Sequence, residues 1–205
     1  MKPLVSIGLP VKDGFLNHPK DNINLPKSLN ALLNQSYKNL EIIISNNCSK
    51  DDTESYLEKI IKTDKRIKFF NQETELSWAE NYKFVLDNSK GKYFRWNAAD
   101  DLISQDYIEH NVNFLENNQD YISSSSKFYY ENKPNKVNSF DLDKALYLRI
   151  KNFFNNRHIS HNILYSLIRR EIMTKTIDLS KDYWAVDWIF DLDFLLNGKF
   201  KTLNE

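Results

Sequence analysis

Four short apolar runs, Leu4 to Leu9, Leu40 to Ile44, Ile67 to Phe70 and Tyr93 to Trp96, are separated by segments whose apolar residues recur at helical spacing. Leu25, Leu29, Leu32 and Leu33 flank or follow Pro26, a residue that suits the first turn of a helix. Tyr56, Leu57, Ile60 and Ile61 follow Asp51 and Asp52, either of which can cap a helix, and Trp78, Tyr82, Val85 and Leu86 precede Gly91, a natural stop. This βαβαβαβ order predicts an α/β fold, a mostly parallel sheet with helices on both faces. Pro10 is expected to end the first strand, because proline cannot donate to a ladder. Ligands of such sheets bind outside the carboxyl ends of the strands.

Three polar clusters fall at those ends: Lys12-Asp13, Asn46-Asn47 and Asp100-Asp101. Two adjacent carboxylates repel unless donors or a cation sit between them. Mg²⁺ answers that need, since one or two carboxylates and phosphate oxygens usually hold it. The alternative for the acid pair is a cap on the helix that begins near Ser104. Asp13 beside Gly14, and Asn46-Asn47, read equally as turn formers. Beyond residue 102 the alternation loosens. Ile108, Val112 and Leu115 predict a helix, Tyr121 to Tyr130 a strand, Leu142 to Phe154 a helix, Ile163 to Ile168 a strand, and the tail from Trp184 to Leu196 a helix. His158 and His161 share a polar connector, but no Cys or acid completes a metal set there. Trp78, Trp184 and Trp188 are expected in the core ahead of any role as sugar platforms.

Composition narrows the function classes. A chain of 205 residues suits one domain with a full core. A formal net charge of zero gives no basic face for nucleic acid. Four glycines, at 8, 14, 91 and 198, are too few for a P-loop or a GxGxxG fingerprint. The one cysteine, Cys48, excludes an internal disulfide and fits a reducing compartment. The first residues read as a strand without signal-peptide features, and no apolar run approaches the ~20 residues of a membrane span. A soluble, cytoplasmic protein is expected.

The ordered motifs resemble family 2 glycosyltransferases of the GT-A fold. Val5-Ser6-Ile7-Gly8-Leu9-Pro10 is similar to the family's opening strand, and Ser28 to Tyr37, closing on Gln35-Ser36-Tyr37, to its first helix. Glu41 to Asp51 resembles the second strand and its acidic loop, and Gly91-Lys92-Tyr93-Phe94 with Asp100-Asp101 resembles the DxD region. In the second half, Ser166 to Arg170 and Ala185-Val186-Asp187-Trp188 match more thinly. The resemblance implies residues 1–103 as a nucleotide-sugar-binding half and 104–205 as an irregular, C-terminally short acceptor-side half.

It further implies inverting transfer from a nucleotide-diphosphate sugar, UDP-linked by preference, to a hydroxyl of a saccharide or lipid-linked acceptor in surface polysaccharide assembly. Pro10, Val11, Asp13, Asn47 and Asp100 would contact the donor, and Asp101 with Asp100 would hold Mg²⁺ or Mn²⁺. Asp187, at the start of a helix whose dipole keeps a carboxylate ionised, would be the general base. The chain departs from the family at Ala98, where a first Asp is common, at Asn47, where an Asp usually meets the uracil N3 proton, and at Ser77, where a glycine is common. Ala98, Asn47 and the short C-terminal part motivate the alternative of a catalytically impaired nucleotide-sugar-binding protein.

Overall fold

The computed structural model describes residues 1–15, 24–130, 133, 136–156, 162–173 and 186–204, without the side chains of 186 and 187. The first half alternates as expected: β1 (Val5–Val11), α1 (Leu25–Leu33), β2 (Leu40–Asn46), α2 (Thr53–Ile60), β3 (Ile67–Asn71), α3 (Trp78–Asp87) and β4 (Tyr93–Trp96). The second half carries α4 (Tyr107–Asn117), β5 (Tyr121–Ser126), α5 (Leu146–Asn155), β6 (Leu167–Arg169), the single turn α6 (Arg170–Met173), α7 (Val186–Asn197) and β7 (Lys199–Leu203). Among the described residues the strands form one sheet in the order β3-β2-β1-β4-β6-β5-β7. The first four are parallel, β6 runs antiparallel to both β4 and β5, and β7 is parallel to β5.

Strand alternation sends neighbouring residues to opposite faces. Ile42, Ile44 and Tyr93 enter a core with Leu25, Leu29 and Leu32 of α1, Leu57 of α2 and Ile108, Val112 and Leu115 of α4. Ile43, Phe94 and Trp96 enter the other, with Tyr82, Val85 and Leu86 of α3, Phe153 of α5 and Phe190, Phe194 and Leu195 of α7. Gly8 lies under the second core. A Cβ there would meet the Phe94 ring and Val85 Cγ2 at 2.7 Å, so the close seating of α3 on the sheet needs that glycine.

Several boundaries differ from the sequence reading. β1 does not end at Pro10 but runs on to Val11, with Pro10 opposite Ser45. The backbone groups of Val5 and Val11 face β2, since Val5 N donates to Asn39 O and Val11 O accepts from Asn47 N. Pro10 therefore faces the β4 side, and β4 pairs no farther than Gly8 opposite Trp96. The register with β4 holds no pair at that position for the missing donor to break. The expected helix from Leu142 begins only at Leu146, because Leu142 exchanges two backbone hydrogen bonds with Phe200. Residues 163–166 form a turn ahead of β6, closed by Ser166 on Ile163 O, and β5 stops at Ser126. β7 was not anticipated. Its alternation of buried Phe200 and Thr202 with half-buried Lys199, Lys201 and Leu203 is a strand pattern that begins right after Gly198.

Candidate functional site

The strand ends are tied together before any ligand is considered. Asn47 N donates to Val11 O, and Gln72 N to Asn46 O. Asn46 Nδ2 donates to Asn71 Oδ1 at 2.7 Å, and Ser49 Oγ to Asn46 Oδ1 at 2.5 Å. Asp13 adopts a left-handed φ of 52°, a conformation that Asp and Asn tolerate better than most residues. Its N–H donates to Ser49 Oγ, and its Oδ1 accepts from Lys50 N at 2.6 Å. Asp51 accepts from Phe15 N and Thr53 N. Burial pushes its carboxyl up, but hydrogen bonds from Thr53 and these backbone donors win and hold it below the ordinary range. The two loops after β1 and β2 thus form one laced rim.

A cleft of about 430 Å³ opens beyond the carboxyl ends of the strands. Pro10, Val11 and Lys12 line it from β1, Asn47 from β2, and Ala98 and Ala99 from the segment after β4. The remaining wall is the passage into α3: Glu75, Leu76, Trp78, Asn81 and Tyr82. Lys12 Nζ and Glu75 Oε1, both solvent-accessible, meet at 2.5 Å as an ion pair between two walls of the cleft. Ser77 caps α3 through a capping box with Glu80, Ser77 Oγ accepting from Glu80 N and Glu80 Oε2 from Ser77 N. This serine replaces the expected glycine with a defined helix start.

Asn47 is only 5% exposed, and its amide grips one peptide group on both sides. Nδ2 donates to Leu76 O at 2.9 Å, and Oδ1 accepts from Leu76 N at 2.8 Å. That grip fixes the wall carrying Trp78 and Asn81. An aspartate could make only the second of these bonds.

The acid pair is no helix cap, because α4 begins at Tyr107 with Asp106 at the cap position. Asp100 is exposed and Asp101 half-buried. Asn97 organises their loop: Nδ2 donates to Ser28 Oγ and Ala98 O, while Oδ1 accepts from Arg95 Nη1 at 2.9 Å. Arg95 is buried beneath the loop, its guanidinium 4.8 Å from the Tyr107 ring centroid, with Nη1 also on Trp96 O. Burial raises the Asp101 carboxyl, Arg95 opposes the shift, and Asp100 adds to it. A carboxylate held uncomfortably beside a second one is a site that a cation would relieve. Two hard oxygen ligands fit Mg²⁺ or Mn²⁺ with phosphate and water completing the shell. Among the described residues no group of three or more His, Cys, Asp or Glu could hold a metal without such help.

The structure brings Pro10, Val11 and Asn47 to the cleft, with Asp100 and Asp101 directly following two lining residues. Asp13 falls outside the lining, its carboxylate engaged by Lys50 N. Asp187 belongs to α7, but its side chain lies outside the described residues, as do His158, His161 and Trp184. α7 itself is anchored beneath the site, with Phe190 5.8 Å from Trp96. Trp78 and Trp188 are 45% and 39% exposed, which corrects the expectation that both are core residues. The sequence reading did not single out Asn81, although the Ser-x-x-Glu box at 77–80 fixes the first turn of α3 on which it follows.

Comparison with known proteins places this geometry in context. The closely superposing solved structures include S. aureus TarS 1-349, with a TM-score of 0.76 at 17% identity over 98% of this chain and 58% of that one. A TarS complex with UDP-GlcNAc gives 0.74 at 17% identity over 98% and 56%. The mannosyltransferase PcManGT from Pyrobaculum calidifontis, in complex with GDP-Man and Mn²⁺, gives 0.65 at 15% identity over 100% and 56%. These likenesses show the GT-A fold. Among curated sequences, an uncharacterized glycosyltransferase of Haemophilus influenzae is 38% identical over 104 residues, 51% of this chain and 32% of that protein. One of Rickettsia bellii is 34% identical over 149 residues, 68% of this chain and 20% of that protein. The chain therefore spans about a third or less of these relatives. The model of glycosyl transferase family 2 matches residues 22–178, and the chain belongs to that family.

Proposed function

We propose that the chain binds a nucleoside-diphosphate sugar, UDP-linked by preference, and transfers the sugar to an acceptor hydroxyl with inversion. The observation that carries this reading is the convergence of Pro10 to Lys12, Asn47 and Ala98-Ala99 on one cleft beyond parallel strand ends, with Asp100 and Asp101 next in the chain. The complexes of its structural neighbours with UDP-GlcNAc and with GDP-Man and Mn²⁺ support the ligand class. No helix among the described residues is long and apolar enough to cross a membrane. The proposed setting is cytoplasmic, in surface polysaccharide assembly, with a saccharide or lipid-linked acceptor.

Pro10 and Val11 shape the nucleoside side of the cleft, Asn47 holds its wall, and Asp13 stiffens the rim. Asp100 would meet the ribose or the metal, and Asp101 would be the principal metal ligand. A bound Mg²⁺ or Mn²⁺ would supply Lewis-acid stabilisation of the leaving diphosphate. Asp187 takes the acceptor proton as the acceptor oxygen bonds to the anomeric carbon. The bond from that carbon to the diphosphate oxygen breaks on the opposite face, and the nucleoside diphosphate departs with the electron pair.

A thermal-shift series with UDP, GDP, CDP and dTDP, each with and without Mn²⁺, tests the reading. A metal-dependent rise with at least one of them is expected; no rise with any removes the nucleotide assignment. The second reading, binding without turnover, is motivated by Ala98, where the family's first acid is commonly found. Donor binding without transfer to any acceptor or to water would favour it.

A further inference from the structure

Three residues of α3, Trp78, Asn81 and Tyr82, line the cleft without a part in the chemistry at the strand ends. Trp78 is 45% exposed, and its indole lies on the Tyr82 ring with centroids 4.1 Å apart and planes inclined by 31°. Tyr82 is itself immobilised. Its carbonyl accepts from Trp96 Nε1 at 3.0 Å, and its hydroxyl is bonded to that of Tyr165 at 2.8 Å. The indole is thus a backed aromatic plate at the cleft.

Three residues on, and so on the same side of the helix, Asn81 lines the same cleft. It is 5% exposed, and its Oδ1 has no hydrogen-bond partner among the described residues. A buried acceptor left unpaired destabilises the fold that contains it, and violations of this kind concentrate at functional sites. Neither β1 nor the segment after β4 offers an aromatic face, since their lining residues are Pro10, Val11, Lys12, Ala98 and Ala99. The Asn47 amide is engaged with Leu76 through both its nitrogen and its oxygen.

We propose that Trp78 and Asn81 form the nucleoside subsite of the cleft. The base stacks on the indole, and Asn81 Oδ1 accepts a hydrogen bond from a ring N–H or a ribose hydroxyl of the same nucleoside. This assignment rests on the cleft being a nucleoside-diphosphate site and moves base recognition from the end of β2 to the first turns of α3. A planar ring over tryptophan supplies affinity with little regard to base identity, because every base has a π-face. The single acceptor supplies the discrimination.

Calorimetric titration with Mn²⁺ tests it on the wild type, Trp78→Leu and Asn81→Leu, with UDP, CDP, 2′-deoxy-UDP and inorganic pyrophosphate as ligands. Each variant should weaken UDP by about tenfold or more, the span of one lost stacking or hydrogen-bond contact to a base. Pyrophosphate, which has no nucleoside, should bind all three proteins alike. CDP lacks the ring N3–H and 2′-deoxy-UDP lacks a hydroxyl, so the ligand that Asn81→Leu binds as well as the wild type does identifies the donor. Asn81→Leu, which removes an unpaired acceptor while keeping the branched heavy-atom shape, should melt no lower than the wild type without ligand. Unchanged UDP affinity in both variants, an equal loss for pyrophosphate, or a lower melting point for Asn81→Leu would each overturn the subsite. A wild type that binds pyrophosphate but no nucleoside diphosphate would remove the nucleotide reading itself, and the subsite with it.

Discussion

Replacing Asn47 by the aspartate common at that position in the family separates two accounts of the residue. In the structure the side chain is nearly inaccessible and clamps Leu76 through a donor at 2.9 Å and an acceptor at 2.8 Å. Asn47→Asp keeps the bond from Leu76 N but sets a carboxylate oxygen against Leu76 O, with little room for water to intervene. Leaving a buried carbonyl without its donor costs about 1–3 kcal/mol. A central value of about 2 kcal/mol corresponds to a fall of roughly 4–8 °C in melting temperature for a chain of this length. The sign of the pH dependence follows. A carboxyl facing a carbonyl has a raised folded pKa, and once protonated it can donate to Leu76 O. The deficit should therefore be complete at pH 7 and shrink as the pH falls toward that raised value. Differential scanning fluorimetry from pH 4.5 to 8, paired with UDP titration, reads both quantities. If Asn47→Asp melts like the wild type at pH 7 and binds UDP more tightly, the clamp reasoning is wrong and the position reads the base directly.

Asp101→Ala should abolish the metal-dependent part of nucleotide stabilisation, about 2.7 kcal/mol at a ligand concentration one hundred times the dissociation constant, whereas Ala98→Asp should be tolerated; thermal shifts with and without Mn²⁺ decide. Asp187→Asn should slow transfer by about 10²-fold or more with donor affinity unchanged, which a transfer assay beside a binding titration will show; unaltered transfer would place the base elsewhere. Glu41, buried on β2, accepts from Ser6 Oγ at 2.6 Å and Lys90 N at 2.7 Å and pairs with Lys68. Burial raises its carboxyl, but Lys68, Ser6 and Lys90 outweigh that and hold it below the ordinary glutamate range. Glu41→Gln should therefore cost about 2 kcal/mol at pH 7, a value discounted for the partial exposure of Lys68. Because the folded pKa is depressed, the difference should vanish as the pH drops through it, and urea melts at pH 7 and 3.5 would reveal a constant gap if the ion pair were irrelevant.

The first half of the fold was legible because parallel strands buried on both faces read as nearly continuous apolar runs, as Leu40 to Ile44 does with Glu41 its one polar residue. Pro10 misled because its tolerance depends on where the neighbouring strand stops, a property of β4 rather than of β1. β7 escaped because its Lys-Phe-Lys-Thr-Leu sequence is half polar and becomes a strand only by pairing with the buried serines of β5. At the site, the strand-end clusters were readable from position alone. The engagement of Asn47 by Leu76 was not, since the two lie 29 residues apart and meet only through the packing of α3. Trp78 was assigned to the core on residue type, whereas its place at the start of α3 leaves it at the cleft.

The place of β6 in the sheet has a consequence for how the chain reaches its native state. β6 lies between β4 and β5, yet it follows both in sequence. While residues 97–166 are being synthesised, the outer edge of Tyr93 to Trp96 has no partner, and a bare apolar edge invites pairing with other chains. Closing so long a loop is a slow, non-local step compared with the local pairings of β1 and β2. When β6 docks, Arg169 locks it, donating to Leu115 O at 2.6 Å, Tyr121 O at 2.9 Å and the Tyr93 hydroxyl at 3.2 Å. The strand that delivers Asp100 and Asp101 is thereby secured on both sides only after residue 169 has been made, so a nascent or truncated chain that stops short of β6 would hold its acid pair on an open, aggregation-prone edge.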